Sequence, residues 1–145
     1  MRICAQTNSI KINAVLDEKN DVLKIQQEIV FYNNSKHPLK EIYLHNLPHS
    51  FIDKNTPLTK RLIEDYDKSL YFAKENERGF SKILNLSVNY KVTPFTINKN
   101  AIDIIKIDLD EVLNPSDSLV INATYQIKLP DAKFTGYGKT ATGYH

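Results

Sequence analysis

Two histidines four residues apart form the side-chain pair in this sequence whose spacing most suggests a metal site. His45 and His49 would lie on one face of a helix, and two histidines at that spacing, with a glutamate after the first, form a common zinc-binding arrangement. Asn46 occupies the position of that glutamate, and Pro48 would interrupt a helix. Strand alternation instead places His45 on the face that Tyr43 occupies. The segment therefore predicts a strand end, and we assign no metal ligand to it.

A nucleophile or a phosphate-binding loop is not indicated either. Cys4 is the only cysteine and is far in sequence from any histidine, and no Gly-x-Ser-x-Gly motif occurs. One cysteine also excludes an internal disulfide and a cysteine-based zinc site. The run GYGKT at 136–140 lacks the earlier glycine of a phosphate loop and is not followed by a helical pattern. The sequence thus predicts no catalytic, cofactor-binding or metal-binding residue in this chain.

Aromatic and basic side chains interleave between residues 60 and 80, as they do on some nucleic-acid-binding surfaces. The residues are Tyr66, Tyr71, Phe72 and Phe80 with Lys60, Arg61, Lys68 and Lys74. Acidic residues are equally frequent there and would repel phosphate, and the chain's net charge is only +2. The pattern therefore favours aromatic side chains in the core beneath a charged outer face, with no nucleic acid as partner.

Length and composition describe one ordinary globular domain covering residues 1–145. The chain is 41% hydrophobic and 25% charged, and no apolar run approaches the roughly 20 residues of a membrane span. Residues 1–7 are predicted to be a flexible N-terminus. Ala5 and Gln6 leave open a second interpretation, that this end is the remnant of a cleaved signal peptide. The localisation stays undetermined, with an exported or membrane-associated parent protein as the expectation.

Strict alternation of apolar and polar residues predicts most of the chain to be β-strand. Strands are expected near 10–17, 22–33, 42–47, 84–90, 91–97, 102–109 and 119–129, separated by polar turns. The period changes to a helical one near residues 59–72, with Thr59 as the expected N-cap. Residues 131–145 are predicted to be an irregular tail. The fold class is all-β, an antiparallel and saddle-like β-sandwich with one inserted helix.

Several runs of this sequence resemble the N-terminal domain of the M1 family of zinc metallopeptidases. They are IKINAVLD (10–17), LKIQQEIVFYNNS (23–35), LKEIYLHN (39–46), GFSKI (79–83), IDLDEVLNPSDSL (107–119) and ATYQIKLP (123–130). The resemblance covers most of the chain and implies the sandwich fold of that domain. Because it rests on structural positions, it transfers a fold and a scaffolding role and no catalytic residue.

The residues that carry catalysis in that family do not occur here. The zinc-binding His-Glu-x-x-His helix and the Gly-x-Met-Glu-Asn strand belong to a following domain, and neither motif is present in this chain. The resemblance therefore implies a noncatalytic fragment of a longer chain, with zinc only in the missing domain. Its partners would be that catalytic domain and, through it, peptide substrate.

A second function stays open at this point. The chain could be a free-standing binding or adhesion module that takes peptide or glycan on an exposed sheet face. An exposed aromatic row, for example Tyr32 with Tyr43, would favour that function, and burial of both side chains would count against it. An enzyme complete in itself is the least favoured hypothesis.

Overall fold

The computed structural model describes residues 7–134 and 136–144, and within them the chain forms two main antiparallel β-sheets, a separate two-stranded hairpin and one α-helix. The strands are β1 (Ser9–Asp17), β2 (Val22–Tyr32), β3 (Leu39–His45), β4 (Phe80–Val88), β5 (Lys91–Val92), β6 (Phe95–Asn98), β7 (Ala101–Leu113), β8 (Ser118–Lys128), β9 (Lys139–Thr140) and β10 (Gly143–Tyr144). The helix, α1, spans Pro57–Glu64. The predicted all-β fold with one inserted helix is confirmed.

The two sheets have different sizes. The larger sheet has the strand order β1-β2-β8-β4-β5, and the smaller one has the order β3-β7-β6. β8 is the central strand of the larger sheet, because it pairs along its whole length with β2 and along most of it with β4. β7 is central in the smaller sheet, as its apolar residues on both faces predict. The smaller sheet therefore covers only part of the inner face of the larger one.

The core lies where the inner faces of the central strands meet. Ile107 of β7 and Ile121 of β8 are almost fully buried, and they belong to one cluster with Ile42, Leu86 and Leu119. Burying a side chain of this size stabilises the fold by roughly 1.5–3 kcal/mol. The apolar residues that alternate along these strands thus pack between the two sheets and hold them together.

The inserted helix is shorter than predicted and begins earlier. Thr56, and not Thr59, is the N-cap: its side chain accepts a hydrogen bond from the Thr59 backbone N–H at 3.1 Å. The helix ends at Glu64 instead of residue 72 because Tyr66 adopts the left-handed conformation with φ of 65°. Leu70, which the helical spacing placed on the buried face, is fully buried from the following loop.

One buried asparagine connects the two sheets. Asn33 follows β2, and its side-chain amide donates to the carbonyl oxygens of His37 and Leu113 at 2.8 and 2.9 Å. Its side-chain oxygen accepts from the Ser35 hydroxyl at 2.7 Å. The Asn33 carbonyl also accepts from the Ser116 backbone N–H at 2.9 Å, in the turn between β7 and β8. Asn33 therefore fixes the turn after β2 to the end of β7.

The chain from 131 onward is not wholly irregular. β9 and β10 pair as a short antiparallel hairpin, which reaches back to the turn between β1 and β2. The Lys139 ammonium lies 2.7 Å from Asp21, and the Tyr144 hydroxyl donates to the same carboxylate at 2.8 Å. The prediction for residues 1–7 falls, apart from Thr7, outside the described residues, as does Cys4.

Acid should release this hairpin. Hydrogen bonds from Lys139, together with that from Tyr144, lower the pKa of Asp21 from its ordinary value of 3.8. A carboxyl group whose pKa is lower in the folded state stabilises the fold above its unfolded pKa and loses that contribution as pH falls through the folded pKa. We expect the NMR shifts of the β9 and β10 amides to move toward random-coil values in the acid range below 3.8.

The replacement Asp21→Asn should produce the same shift changes at neutral pH. Asp67→Asn is the matched control, because Asp67 also has a lowered pKa but bonds locally to Ser69, away from the hairpin. Hairpin shifts in Asp21→Asn that are identical to those of the unmodified chain would contradict this assignment.

Candidate functional site

The end of β3 and the turn after it, residues 45–51, form the segment where sequence analysis looked for metal. His45 ends β3 with its side chain exposed, opposite Ile104 of β7. His49 lies in the 3-10 turn Leu47–Phe51, and its ring Nδ1 bonds the carbonyl oxygen of Ser81 at 3.0 Å. Among the described residues, no group of three histidine, cysteine or acidic side chains could hold a metal ion. These residues therefore do not fit a zinc site.

Asn46, between the two histidines, is a buried polar junction. Its backbone N–H donates to the carbonyl of Asp103, which ties the turn to β7. Its side-chain oxygen accepts from the Ser81 hydroxyl of β4, so the residue links both sheets. The amide nitrogen has no hydrogen-bond partner within the described residues. The position that the zinc motif would give to a glutamate thus has a role in joining the sheets.

A cavity of about 280 Å³ lies between the sheets beside this junction. Most of its wall is apolar, and the side chains that line it include Ile10, Ile29, Leu44, Ile83 and Ile127. The polar Tyr125 hydroxyl at its wall already donates to Gln27 at 2.9 Å. Such a lining suits an apolar group. His45 is the one histidine among the described lining residues, and none of them is a carboxylate, a serine or a cysteine that could complete a catalytic pair with it.

A network of charges lies on the outer face of the smaller sheet. The Lys106 ammonium lies 2.8 Å from Glu41 and 2.9 Å from Asp108, and the Tyr43 hydroxyl donates to Glu41 at 2.8 Å. Hydrogen bonds from Lys106 and Tyr43 lower the pKa of Glu41, and the bond to Glu41 raises the pKa of Tyr43. All these groups are solvent-exposed or nearly so, which is typical of a cross-strand pair network on a strand surface.

The aromatic row that would indicate a binding face is not formed by the pair named above. Tyr43 is exposed on β3, in the smaller sheet, whereas Tyr32 is half-buried at the end of β2, in the larger sheet. The two rings therefore belong to different surfaces.

Three aromatic side chains that follow α1 are exposed: Tyr66, Tyr71 and Phe72. The expectation that they belong to the core is therefore wrong. Tyr66 is 95% exposed and Phe72 is 73% exposed, and Tyr71 contacts Phe72 edge-on with ring centroids 5.0 Å apart. The prediction was wrong because it extended the helix to residue 72. Because the helix ends at Glu64, these side chains do not lie on the inward-facing side of a helix. We call Tyr71 and Phe72, whose rings contact each other, the aromatic patch.

A buried arginine shapes the loop that carries this patch. The guanidinium of Arg78 donates to the carbonyl oxygens of Tyr71 and Ala73 at 3.2 and 3.1 Å. Arg78 and Asn46 are the two polar residues here that sequence reasoning missed. No local pattern marks either of them, because both acquire their partners only through the tertiary fold.

The glycine-rich run near the C-terminus does not form a phosphate loop in its described part. Gly138 is buried with φ of 129°, and a side chain there would come within 2.1 Å of the Pro130 carbonyl. The backbone of Lys139 then enters β9. The glycine thus permits a close approach of the Gly138 and Pro130 backbones.

These features define an all-β sandwich with an aromatic patch and an inter-sheet cavity. No helix among the described residues is long and apolar enough to cross a membrane. Comparison with protein-family models finds no match, and comparison with curated proteins finds none either. Comparison with solved structures does find similar proteins.

Crystal structures of the M1 zinc metallopeptidase from Deinococcus radiodurans are similar to this chain. One is a point mutant bound to a Tyr-Ser-Ala substrate, with 10% sequence identity and a TM-score of 0.50 over 84% of this chain. Another structure of this peptidase has 11% identity and a TM-score of 0.49 over 84% of this chain. The chain spans about a fifth of the length of these proteins, 19% and 20% respectively. The likeness shows a shared fold for this region.

Proposed function

We propose that this chain is the noncatalytic N-terminal domain of an M1-like zinc metallopeptidase, where it scaffolds or caps the peptide-substrate cleft of a following catalytic domain. The observation that carries the proposal is the fold likeness over 84% of this chain to one fifth of a peptidase that was crystallised with a peptide substrate. The resemblance of the strand sequences to that family supports it independently.

The chemistry of the described residues agrees with a supporting role. The histidines at 45 and 49 do not form a zinc site, and the cavity wall supplies no catalytic pair. Zinc chemistry would therefore be supplied by residues of the following domain, and this chain would contribute surface and rigidity. The expectation that this chain itself binds no cofactor stays a prediction.

The aromatic patch supplies a surface on which another domain could pack. Exposed aromatic side chains in one cluster are typical of interaction surfaces, because burying them gains more than burying scattered apolar residues. The Lys54 ammonium lies 5.8 Å from the Tyr71 ring centroid and adds a charge at the margin of the patch. We therefore assign the contact with the following domain to this side of the sandwich.

A free-standing adhesion module is the less supported function. Tyr32 with Tyr43 was one example of the aromatic row that such a module would present. Neither residue is buried, but they lie in separate sheets and do not form that row. We therefore retain the peptidase-domain proposal.

The replacement Phe72→Ser in the full parent polypeptide tests the proposed contact. We expect the β-domain and the rest of the protein to unfold in separate calorimetric transitions, because the exposed ring would no longer join them. In the isolated chain the same change should leave the melting temperature nearly unchanged, since Phe72 is already 73% exposed.

Tyr90→Ser is the matched control. Tyr90 is also strongly exposed, but it lies in the turn after β4, away from the aromatic patch. Separate transitions in both variants, or in neither, would contradict the assignment of the contact to the patch.

A further inference from the structure

β1 presents a long, regular edge of the larger sheet. Its pairing with β2 runs without a register shift from Ser9 opposite Val30 to Asp17 opposite Val22. On its other side, no strand of the described residues pairs with it. A row of backbone N–H and C=O groups is therefore available along nine residues.

The other sheet edges carry protective features that β1 lacks. β5 has only two residues and is soon followed by Pro94, and β3 has a register shift between Leu39 and Glu41. β6 has four residues and a register shift at Asn98. Short strands, prolines and bulges are the usual means of preventing edge pairing. β1 has neither a proline nor a bulge.

The inner face of β1 is apolar and uncovered. Ile10 pairs in register with Ile29, which pairs with the buried Ile121, so the even-numbered residues of β1 continue the core face. The smaller sheet leaves Ile10 and Ile12 59% and 56% exposed. A strand added beside β1 would satisfy the free backbone row and place its own apolar side chains beside these two.

A second copy of β1 has the complementary chemistry. With two antiparallel β1 strands related by a twofold axis at Ala14, Lys11 lies opposite Asp17 of the second copy, and the reverse pair forms too. The same register places Ile12 opposite Leu16 of the second copy on the inner face. The Lys11 side chain is 79% exposed, and its ammonium lies 3.3 Å from Glu28 of β2 on the same face, so Asp17 of the second copy would add a second carboxylate to this pair. Opposite charges and apolar pairs therefore align in one register.

We propose that two copies of this chain associate through β1 in that register, joining two five-stranded sheets into one continuous sheet. The inference does not depend on the peptidase proposal. The association is isologous, so each copy contributes the same strand and the assembly closes as a dimer.

Sedimentation velocity over a concentration series tests the dimer with two matched variants. Ile12→Lys places a charge on the inner face and should weaken self-association at least tenfold. Val15→Lys adds the same charge to the same strand. Val15 is 65% exposed on the outer face and lies opposite the polar Asn13 of the second copy in this register, so that variant should weaken association much less than Ile12→Lys. A general folding defect of β1 would affect both variants. A monomer at every concentration, or equal effects of the two variants, would overturn the proposal.

A charge exchange tests the register. The variants Lys11→Asp and Asp17→Lys should each self-associate more weakly, because residues 11 and 17 then carry the same charge and face each other. A one-to-one mixture of the two variants should form a heterodimer, because every facing pair is then of opposite charge. Failure of the folded variants to associate on mixing would overturn the register. Circular dichroism establishes folding first, since Asp17 also pairs with Lys24 at 3.0 Å. If Asp17→Lys is unfolded, the Ile12 and Val15 variants decide the proposal.

Discussion

Replacing Asn33 by alanine is expected to lower the free energy of unfolding by about 3 kcal/mol. Asn33 is 1% exposed, and its side chain makes hydrogen bonds to His37, Leu113 and Ser35. Removing it leaves the buried Leu113 carbonyl without that donor, and an unsatisfied buried polar group costs about 1–3 kcal/mol. The measurement is equilibrium unfolding in urea.

Asn34→Ala is the control for that prediction. Asn34 is the neighbouring residue of the same type, but it is exposed. Its replacement should change the free energy of unfolding by no more than about 0.5 kcal/mol. Equal unfolding midpoints for the two variants would show that Asn33 does not connect the sheets as described.

The replacement Ile107→Ala should destabilise the protein by about 3–4 kcal/mol, within the range measured for large-to-small changes in well-packed cores. Ile107 is fully buried in the central strand of the smaller sheet and belongs to the cluster that joins both sheets. Alanine would remove apolar contacts and leave a cavity, because two sheets held by long ladders relax little. Urea unfolding measures this change as well.

Ile97→Ala is the matched control, because Ile97 has the same side chain and lies on β6, beside β7 in the same sheet. It is 36% exposed, so its loss should cost only about 1 kcal/mol. A cost for Ile107→Ala no larger than that for Ile97→Ala would contradict the placement of the core between the central strands.

Most strands could be predicted because each carries a local signal that the tertiary structure does not override. The single strand predicted at 91–97 was wrong, because the chain passes there from β5 in the larger sheet to β6 in the smaller one. In β2, apolar and polar residues alternate because one face packs and the other meets water. β7 was recognisable as a central strand from the adjacent apolar residues Ile104 and Ile105, and it pairs with strands on both sides. In these strands the sequence pattern follows directly from which side chains are buried.

The segment after Thr56 could not be predicted well, because its helical spacing continues past the point where the helix ends. The backbone of Tyr66 turns left-handed without a glycine to announce it. Leu70 is then buried from a loop, and the aromatic patch is exposed. A helical period in the sequence cannot distinguish a continued helix from a loop that happens to bury one leucine.

The polar junctions of the candidate site lie beyond sequence reasoning for a different reason. Asn46 contacts Ser81, 35 residues away, and Arg78 bonds carbonyl groups of a loop whose course the sequence does not fix. Such bonds depend on which strands become neighbours. The sequence indicated correctly that His45 lies at a strand end, because that inference needed only local alternation.

Determining the coding sequence beyond His145 in the parent gene tests the proposed function most directly. If this chain is the N-terminal domain of an M1-like metallopeptidase, that reading frame continues into a domain with a His-Glu-x-x-His helix and a downstream glutamate. A parent protein whose following sequence contains no such zinc-binding helix would contradict the proposed function.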